Sequence, residues 1–399
     1  MSEPNWRDLE IETAAGRPEV RRRAAEALAQ GPLCDDCLGR LFAQVGTGLA
    51  NRERGRAVRG ALGVAPSPGP CPLCRGLFAD LDGWLARARR ALEGLEFDTF
   101  LVASHPDPAA AAREEALWQK VGGDLAEPAK QAFNRELGAR LYNHFGAGPD
   151  FVHPDVVVVA DHAAAAVEVD VRPLYVGGRY RKLVRGLPQC RWPSYKTSVQ
   201  DLIGDPVCRA AEGRDHRLHG GGREDVDVRC LGERPFVLAV LGPRKRRLDW
   251  PALAAEIGRD GRIEVLDLRP VGAEAPAALK AMRPEKTYRA RVRLAGPVEP
   301  SRLDRLAGLV GTIRQETPAR VAQRRALLLR RRRVLDATWQ RLDPQTLELT
   351  VRTDAGLYVK ELVSGDSGRT RPSVAGLLGV AAECADLDVL AIHLAQPWP

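Results

Sequence analysis

Two cysteine pairs near the N-terminus constrain the fold more than any other feature of this sequence. Cys34 and Cys37 are separated by two residues, and so are Cys71 and Cys74. Four thiolates in two such pairs form a typical ligand set for a tetrahedral zinc ion, and they leave no open position for a substrate. The spacing therefore predicts a structural zinc site that holds two separate stretches of chain together.

Disulfides and a redox-active pair are the alternatives for these cysteines. A glycine follows each pair two residues later, at Gly39 and Gly76, where a small residue lets backbone N–H groups turn toward sulfur. Disulfides are rare in the cytoplasm, so zinc is the favoured interpretation. The remaining cysteines lack partners at ligand spacing and are expected to be ordinary small residues; they are Cys190, Cys208, Cys230 and Cys384.

Length and composition indicate a water-soluble protein of two or three domains. The 399 residues are 44% hydrophobic, and no apolar run approaches the roughly 20 residues that span a membrane. The N-terminus has neither the basic start nor the apolar centre of a signal peptide, so a cytoplasmic location is expected. The net charge of +8 and the excess of arginine over lysine are compatible with a nucleic-acid partner.

Hydrophobic periodicity predicts helices and strands that are interspersed without a regular βαβ order. Helices are expected within the first 30 residues and over 80–100, 109–145, 250–258, 300–308 and 373–384. Strands are expected in "DVVVVAD", in "VEVDVRPLYV", and at Phe236–Leu241, Ile263–Leu268, Tyr288–Leu294 and Leu347–Val351. The pattern predicts an α+β protein with a mixed or antiparallel sheet, with a domain boundary near Gly177.

Basic segments form a second pattern. Arg314–Arg333 contains a single acidic residue, Glu316, and if it were helical Arg320, Arg324 and Arg331 would share a face. The alternatives are a solvated charged surface or a surface that contacts nucleic-acid phosphates. A second basic stretch with aromatic residues, Arg179–Arg191, favours RNA or DNA contact.

The segment "GGREDVDVRCLG", Gly221–Gly232, places several charged residues directly before the apolar strand "FVLAVLG". Charged loops next to glycine are common on protein surfaces. Such a loop can also hold a carboxylate among cations for chemistry. Asp225 and Asp227 are both candidates, because in an extended segment they would face the same side.

Three segments together resemble the pseudouridine synthases. The matching positions are Asp225 in "GRED", Tyr288 in "KTY" and Lys360 in "GLYVK". Further stretches, among them "CDDCLGRLFAQVGTGLANRERG", "PLYVGGRYRKLVRGLPQCRW" and "QETPARVAQRRA", resemble the archaeal and eukaryotic tRNA pseudouridine synthases that carry an N-terminal zinc and THUMP-like region. The resemblance runs from about Cys34 to Leu378. Ser364 departs from the family pattern, which more often has histidine there.

The resemblance implies a domain plan and a reaction. Residues 1–176 would form a zinc-bound, THUMP-like α/β domain that binds RNA. Residues 177–399 would form the catalytic domain, with a mixed, mostly antiparallel sheet flanked by helices. The implied activity is isomerisation of uridines 54 and 55 in the T-loop of tRNA. A monomer is the expected state.

The resemblance also implies roles for individual residues. Asp225 would be the catalytic carboxylate, and Lys360 would keep it ionised. Tyr288 and Tyr358 would contact the uracil, and Arg223 would fill the stack that the flipped base leaves. Isomerisation transfers no electrons, and uracil leaves as a delocalised anion. Neither an organic cofactor nor a catalytic metal is therefore expected, and covalent attack and proton removal both remain open for the aspartate.

Three other functions are compatible with parts of the sequence. A non-catalytic RNA-binding or RNA-processing protein would use the same zinc and basic regions. A metal-dependent nuclease would use Glu224, Asp225 and Asp227, but no matching carboxylate or histidine cluster is visible elsewhere. An RNA methyltransferase would need a glycine-rich loop after a strand to hold its nucleoside cofactor, and none is found.

Overall fold

The structure is a computed structural model that describes residues 15–46, 48–66, 69–323, 326–396 and 398. It divides into two compact units, one ending at Arg172 and the other beginning at Pro173. In the described ranges, no helix has both the length and the apolar character needed to cross a bilayer. Helices and strands are interspersed in both units, which confirms the predicted α+β class.

The first unit begins with short helices and ends with a small sheet. The helices are α1 (Pro18–Ala29), α2 (Asp35–Arg40), α3 (Asn51–Leu62), α4 (Leu81–Ala91), α5 (Pro108–Val121) and α6 (Ala129–Phe145). The strands are β1 (Thr99–His105), β2 (Gly148–Pro149), β3 (Val156–Asp161) and β4 (Ala166–Val171). Their order in the sheet is β2-β1-β3-β4, with β1 parallel to β2 and β3 and with β4 antiparallel to β3.

The helices of this unit are shorter than the periodicity predicted. The expected helix over 80–100 ends at Ala91, and a strand begins at Thr99. The expected helix over 109–145 is two helices. The first ends at Gly122, whose φ of +87° is a backbone conformation that glycine adopts without steric cost. The apolar stripe on α6 is buried at Phe133, Leu137 and Leu141, whereas Phe145 is exposed.

The predicted strand "VEVDVRPLYV" is wrong as a single element. It contains β4, which ends at Val171, and the start of β5, which begins at Leu174 and belongs to the large sheet of the second unit. Pro173 lies between them and has no backbone N–H for a strand ladder, so the alternation of valines continues across a break.

The second unit is built on a ten-stranded mixed sheet. Its strands are β5 (Leu174–Lys182), β6 (Asp215–Gly220), β7 (Arg229–Leu241), β8 (Ile263–Pro270), β9 (Glu285–Leu294), β10 (Gly311–Glu316), β11 (Leu329–Asp343), β12 (Thr346–Thr353), β13 (Thr370–Arg371) and β14 (Ala382–His393). The order is β13-β10-β11-β12-β9-β14-β7-β5-β8, and β6 pairs with β7. All of the pairs are antiparallel except β7 with β14. The predicted strands at 236–241, 263–268, 288–294 and 347–351 all lie within these elements.

Residue patterns explain how the strands are buried. Alternate residues of β12 are buried, as its period of two requires for a sheet with one covered face. Strand β7 differs, since its residues from Arg234 to Val240 are all buried. Apart from Arg234 these side chains are apolar, and they hold β7 within the sheet, directly after the charged loop.

Helices of the second unit connect and cover the strands. They are α7 (Val199–Ala210), α8 (Trp250–Gly258), α9 (Ala275–Ala281), α10 (Pro300–Leu303), α11 (Val359–Ser364) and α12 (Val374–Leu378). The helix predicted over 250–258 is confirmed. The helix over 300–308 is α10 followed by a 3-10 turn, Asp304–Leu309, and the helix over 373–384 ends at Leu378 because Gly379 takes a left-handed conformation.

The basic segment Arg314–Arg333 is not a helix in its described part. It contains the end of β10, a 3-10 turn at Ala319–Val321, and the start of β11. Arg320 and Arg331 therefore do not share a helical face, and Arg324 lies outside the described residues. Long arginine side chains occur equally well on an exposed strand, so charge alone did not distinguish the two structures.

Candidate active site

The charged loop connects β6 to β7, two antiparallel neighbours in the sheet. Glycine in this loop allows the loop backbone to lie close to buried side chains. Gly222 has a φ of +97°, and a Cβ atom there would lie 2.8 Å from Arg234 Nη1 and 3.3 Å from Lys286 Nζ. A residue with a side chain would therefore collide with these two cations, so glycine is required at this position.

A buried ion pair lies under the loop. Glu224 Oε2 is 2.8 Å from Arg234 Nε, and the two side chains are 0% and 1% exposed. The Tyr180 hydroxyl donates to Glu224 at 3.0 Å, and Gln189 donates to the Tyr180 oxygen and to the Gly222 carbonyl. Burial raises the pKa of Tyr180 well above its usual value, so the hydroxyl keeps the proton that it donates.

Lys182 fixes the next part of the loop. Its buried Nζ donates to the carbonyl oxygens of Leu187, Asp225 and Val226 at 2.8, 3.1 and 3.3 Å. The bonds to Asp225 and Val226 restrict the backbone at Asp225 and at the residue after it, and the bond to Leu187 ties this part of the loop to a second segment. The loop is consequently held from below by Glu224 and Lys182, while the Asp225 side chain remains partly exposed.

Two cations flank the Asp225 carboxylate. Arg320 Nη1 lies 3.0 Å from Asp225 Oδ2, and Lys360 Nζ lies 3.6 Å from the same oxygen. Both contacts are ion pairs between opposite charges. Arg320 also contacts Glu361, with Nε 2.6 Å from Oε1, so one guanidinium joins the loop to helix α11.

Lys360 is closer to Asp227 than to Asp225. Its Nζ donates to both carboxylate oxygens of Asp227, at 2.7 and 2.8 Å. Burial alone would raise the pKa of Asp227, but the hydrogen bonds and charge of Lys360 outweigh that effect and hold the pKa below its usual value. The two aspartates therefore differ in their surroundings. Asp227 makes the two short contacts with Lys360, whereas Asp225 makes its short contact with Arg320.

Sequence reasoning did not find the arginine at this site. The basic pattern assigns Arg320 to a phosphate-contacting surface, together with the other arginines of its segment. Its contacts are with Asp225 and Glu361, which come from other parts of the chain, so no local periodicity could indicate them. The "QETPARVAQRRA" stretch that carries Arg320 contributed only to the family resemblance.

The two predicted tyrosines occupy different surroundings. Tyr288 is on β9, and burial raises its pKa to about 12. Tyr358 precedes α11, and the guanidinium carbons of Arg330 and Arg320 lie 5.7 and 6.0 Å from its ring centroid. A cation at this distance from an aromatic face is weakly attracted to it. Arg223 is exposed and makes no ion pair within the described ranges.

A cavity of about 510 Å³ brings these residues together. All of its walls come from the second unit. They include the charged loop, α9, β9, the Arg320 turn, the start of β11, the chain before α11 and part of β14. The sequence-predicted residues that line it are Arg223, Asp225, Tyr288, Tyr358 and Lys360. A volume of this size is typical of small-molecule and nucleotide sites. The cavity also includes Lys286, Arg320 and Arg330, which were not among the predicted site residues.

The four paired cysteines converge in the first unit. Their sulfur atoms all lie within 4.8 Å of one another, and Cys34 Sγ is 3.7 Å from Cys74 Sγ. A tetrahedral zinc ion with bonds of about 2.3 Å to sulfur would need sulfur atoms about 3.8 Å apart. All four are free thiols, which argues against the disulfide alternative. The donor set therefore fits a metal ion.

Gly39 has a different role from the one expected beside the cysteines. A Cβ atom at Gly39 would lie only 1.7 Å from the Asn51 carbonyl oxygen, so glycine allows α2 and α3 to pack closely. The backbone N–H that does approach sulfur belongs to Cys37, which donates to Cys34 Sγ at 3.4 Å. Gly76 does adopt the left-handed backbone, with a φ of +88°.

A second group of possible ligands already contains an arginine. Asp201, Asp205 and His216 lie close enough to share an ion. The Arg191 guanidinium sits among them, with Nε 2.6 Å from Asp201 Oδ1 and Nη2 2.9 Å from His216 Nε2. A cation is thus already supplied by the chain. Glu224, Asp225 and Asp227 form no such group in the part of the chain that the structure describes, which removes the basis for the nuclease alternative.

Comparison with known proteins identifies the family. Residues 175–393 match the family described as "Pus10, C-terminal", and residues 84–161 match "Pus10 THUMP domain, archaeal". The tRNA pseudouridine synthase Pus10 of Pyrococcus furiosus is 40% identical over 384 residues, which cover 94% of this chain and 98% of that protein. The protein of the same name from Methanothermobacter marburgensis is 41% identical over 390 residues, covering 92% and 96%. The predicted resemblance is confirmed, and the chain belongs to the Pus10 family of pseudouridine synthases.

Proposed function

We propose that this protein isomerises uridines 54 and 55 in the T-loop of tRNA, with Asp225 as the catalytic carboxylate. The observation that carries this proposal is the environment of Asp225. Asp225 and Tyr288 both line the cavity, and Arg320 Nη1 lies 3.0 Å from the Asp225 carboxylate. The names of the relatives, which are tRNA pseudouridine synthases, support tRNA as the substrate.

The reaction rearranges bonds within one nucleotide. The C1′–N1 bond breaks, the uracil ring turns, and a C5–C1′ bond forms. The proton at C5 is then lost and N1 gains one, so that no atom or electron is gained overall. An ionised carboxylate beside the sugar can attack C1′ or remove a proton from the sugar. Both routes remain open for Asp225.

The flanking cations would tune the carboxylate. Arg320 is the closer of the two and would stabilise the charge of Asp225 directly. Lys360 contacts both Asp225 and Asp227. It would therefore position the loop as well as stabilise the negative charge of Asp225.

Aromatic residues and an exposed arginine would receive the flipped base. Tyr288 lines the cavity and offers an aromatic face for stacking on uracil. Tyr358 also lines the cavity. Arg223 is exposed two residues before Asp225, where its guanidinium can enter the stack that the base leaves.

The four cysteines would hold a structural zinc ion, which takes no part in the reaction. Cys34 and Cys37 come from the start of α2, and Cys71 and Cys74 from the turn before α4. Zinc bound by four thiolates stabilises a small fold by cross-linking it. The protein is expected to act as a monomer, which size-exclusion chromatography with light scattering would measure, and in the cytoplasm, where tRNA is available.

A pseudouridine assay on an unmodified tRNA transcript tests the proposal. Purified wild-type protein, Asp225→Asn and the control Asp343→Asn would be compared, because Asp343 is an exposed aspartate that does not line the cavity. Carbodiimide labelling and primer extension would locate the product. T-loop pseudouridine is expected from the wild type and the control, with a loss of at least about 10³-fold for Asp225→Asn.

Two outcomes would contradict the proposal in different ways. Tight tRNA binding without any product from the wild type would favour the non-catalytic RNA-binding alternative. Product at normal rates from Asp225→Asn would keep the enzyme but move the catalytic role to another carboxylate.

A further inference from the structure

Lys286 is a buried lysine that faces the cavity from β9. It is 8% exposed and lines the cavity together with Tyr288, two residues further along the same strand. Residues two apart on a strand point to the same side of the sheet. The two side chains therefore belong to the same wall of the cavity, and a nucleotide in the cavity would meet both of them.

Lys286 has no carboxylate in direct contact in the part of the chain that the structure describes. No acidic oxygen lies within 4.0 Å of its Nζ in the described ranges, and the nearest buried carboxylate, Glu224, is taken by Arg234 and Tyr180. Gly222 leaves space beside the ammonium group, since a Cβ atom there would be only 3.3 Å from Nζ. A buried cation without a partner is costly, and such groups occur where a ligand supplies the missing charge.

We propose that Lys286 donates a hydrogen bond to a carbonyl oxygen of the target uracil and stabilises the anion that forms when C1′–N1 breaks. This inference rests on the proposed function. The bonding electrons pass to the uracil ring and spread onto its oxygens, and the lysine keeps its proton throughout. An ammonium group fixed in a water-poor site lowers the energy of such developing charge more than it does in bulk water.

The surroundings of Lys286 make the contribution pH-dependent. The charged and titratable groups around it are Arg234 and Cys230 of β7, Glu224 of the loop, and Arg283 before β9. Burial, followed by the charge of Arg234, lowers the pKa of Lys286 to about 8. The donor is therefore charged below pH 8 and loses its proton above it. The stabilisation of the uracil anion should be full on the acidic side and disappear on the alkaline side.

Single-turnover kinetics with saturating enzyme test the inference. Lys286→Met would be compared with the wild type and with Lys245→Met, a half-exposed lysine that pairs with Glu212 outside the cavity. A fall of about 10²- to 10³-fold is expected for Lys286→Met, as for loss of one donor to a developing anion. Binding of tRNA should change less than about threefold, and Lys245→Met should behave like the wild type.

The ratio of the wild-type rate to the Lys286→Met rate separates catalysis from structure. Ionisation of uridine itself affects both proteins equally and cancels in this ratio. The ratio should be constant below pH 7 and fall above pH 8, approaching tenfold per pH unit. A merely structural lysine would leave the ratio unchanged with pH, and that result would overturn the inference.

Other outcomes are equally informative. Weaker tRNA binding with an unchanged rate at saturation would mean that Lys286 contacts a phosphate, which also overturns the inference. Absence of product from the wild type would instead refute the proposed function. Circular dichroism and the thermal midpoint of each variant identify a variant that fails to fold. In that case Lys286→Gln, which keeps a polar donor without charge, replaces it. The rate of Lys286→Gln should lack the decrease above pH 8 that deprotonation of Lys286 causes in the wild type.

Discussion

At the scale of single residues, the two aspartates of the charged loop are distinguished by their cations. The sequence left Asp225 and Asp227 as rivals, because both lie on one side of an extended segment. The structure places a turn at residues 226–227, so the segment is not extended there. Lys360 consequently makes both of its short contacts to Asp227, and Arg320 contacts Asp225.

Asp227→Asn tests whether Asp227 mainly positions Lys360. The amide removes the charge that holds the ammonium group, and Lys360 is then free to move the short distance toward Asp225. The single-turnover rate should fall by less than about tenfold, against at least about 10³-fold for Asp225→Asn. Equal losses in the two variants would mean that the loop uses both carboxylates in the reaction.

The buried ion pair makes a second prediction at this scale. Glu224→Gln leaves the Arg234 guanidinium buried without its counter-charge, which should lower the free energy of unfolding of the second unit by about 3–5 kcal/mol. Glu233→Gln is the matched control, because Glu233 is a partly exposed carboxylate that pairs with Arg179 and Arg181. It should cost less than about 1 kcal/mol.

Urea unfolding, with hydrogen exchange of peptides over β6 and β7, would measure both Glu variants. Similar losses for the two would contradict the view that Glu224 anchors the loop through a desolvated pair. A loss confined to Glu224→Gln, with faster exchange in the loop, would support it.

At the scale of elements, close helix packing in the first unit depends on glycine. A Cβ atom added at Gly39 of α2 or at Gly55 of α3 would lie 1.7 or 1.9 Å from a backbone oxygen of the other helix. The helices can approach in this way only when neither carries a side chain at the contact. The cysteine cluster includes residues at the start of α2, so its geometry depends on that contact.

Gly39→Ala should therefore separate α2 from α3 and impair zinc binding. Gly60→Ala in α3 is the matched control, because a Cβ there meets nothing within 4 Å. Alanine at an open helical site should stabilise the helix by about 0.5–1 kcal/mol. Zinc content by mass spectrometry and the thermal midpoint would be measured. Full zinc occupancy and an unchanged midpoint in Gly39→Ala would contradict the packing argument.

Arginines in register across neighbouring strands form another element-scale feature. Arg314 on β10 is directly opposite Arg331 on β11 and Arg371 on β13. Like charges directly opposite one another destabilise a sheet. None of the three has a carboxylate partner among the residues that the structure describes. A row of this kind is expected where an external anion, such as an RNA phosphate, compensates the repulsion.

At the scale of the whole molecule, the net charge of +8 predicts salt-dependent binding of tRNA. Affinity for tRNA should fall by at least tenfold between about 50 and 200 mM KCl. Binding of basic side chains releases counterions from the RNA phosphates, and a higher salt concentration makes that release less favourable.

Arg314→Ala should reduce the slope of log affinity against log salt by about 1. Arg333→Ala should reduce this slope less, because Arg333 already pairs with Asp354. Fluorescence anisotropy over a salt series would measure the slopes, and a wild-type slope near zero would exclude a phosphate-tracking surface.

Features that depend on short-range pattern could be predicted from the amino-acid sequence. Short apolar runs and period-two alternation located the main strands of the second unit, and the CxxC spacing identified the four cysteines that converge. The family resemblance supplied five site residues, from Arg223 to Lys360, and all five line one cavity. These signals are local because strand period, thiol spacing and loop motifs are each contained within a few residues.

The pairing of the charges, by contrast, depends on how the chain folds in three dimensions. Arg320 joins Asp225 to Glu361, Glu224 is matched by Arg234 and Tyr180, and Lys286 is left without a carboxylate within the described ranges. These partners come from separate strands and turns, and their contacts depend on sheet order and register. An electrostatic interaction depends on distance in space, whereas the sequence records only distance along the chain.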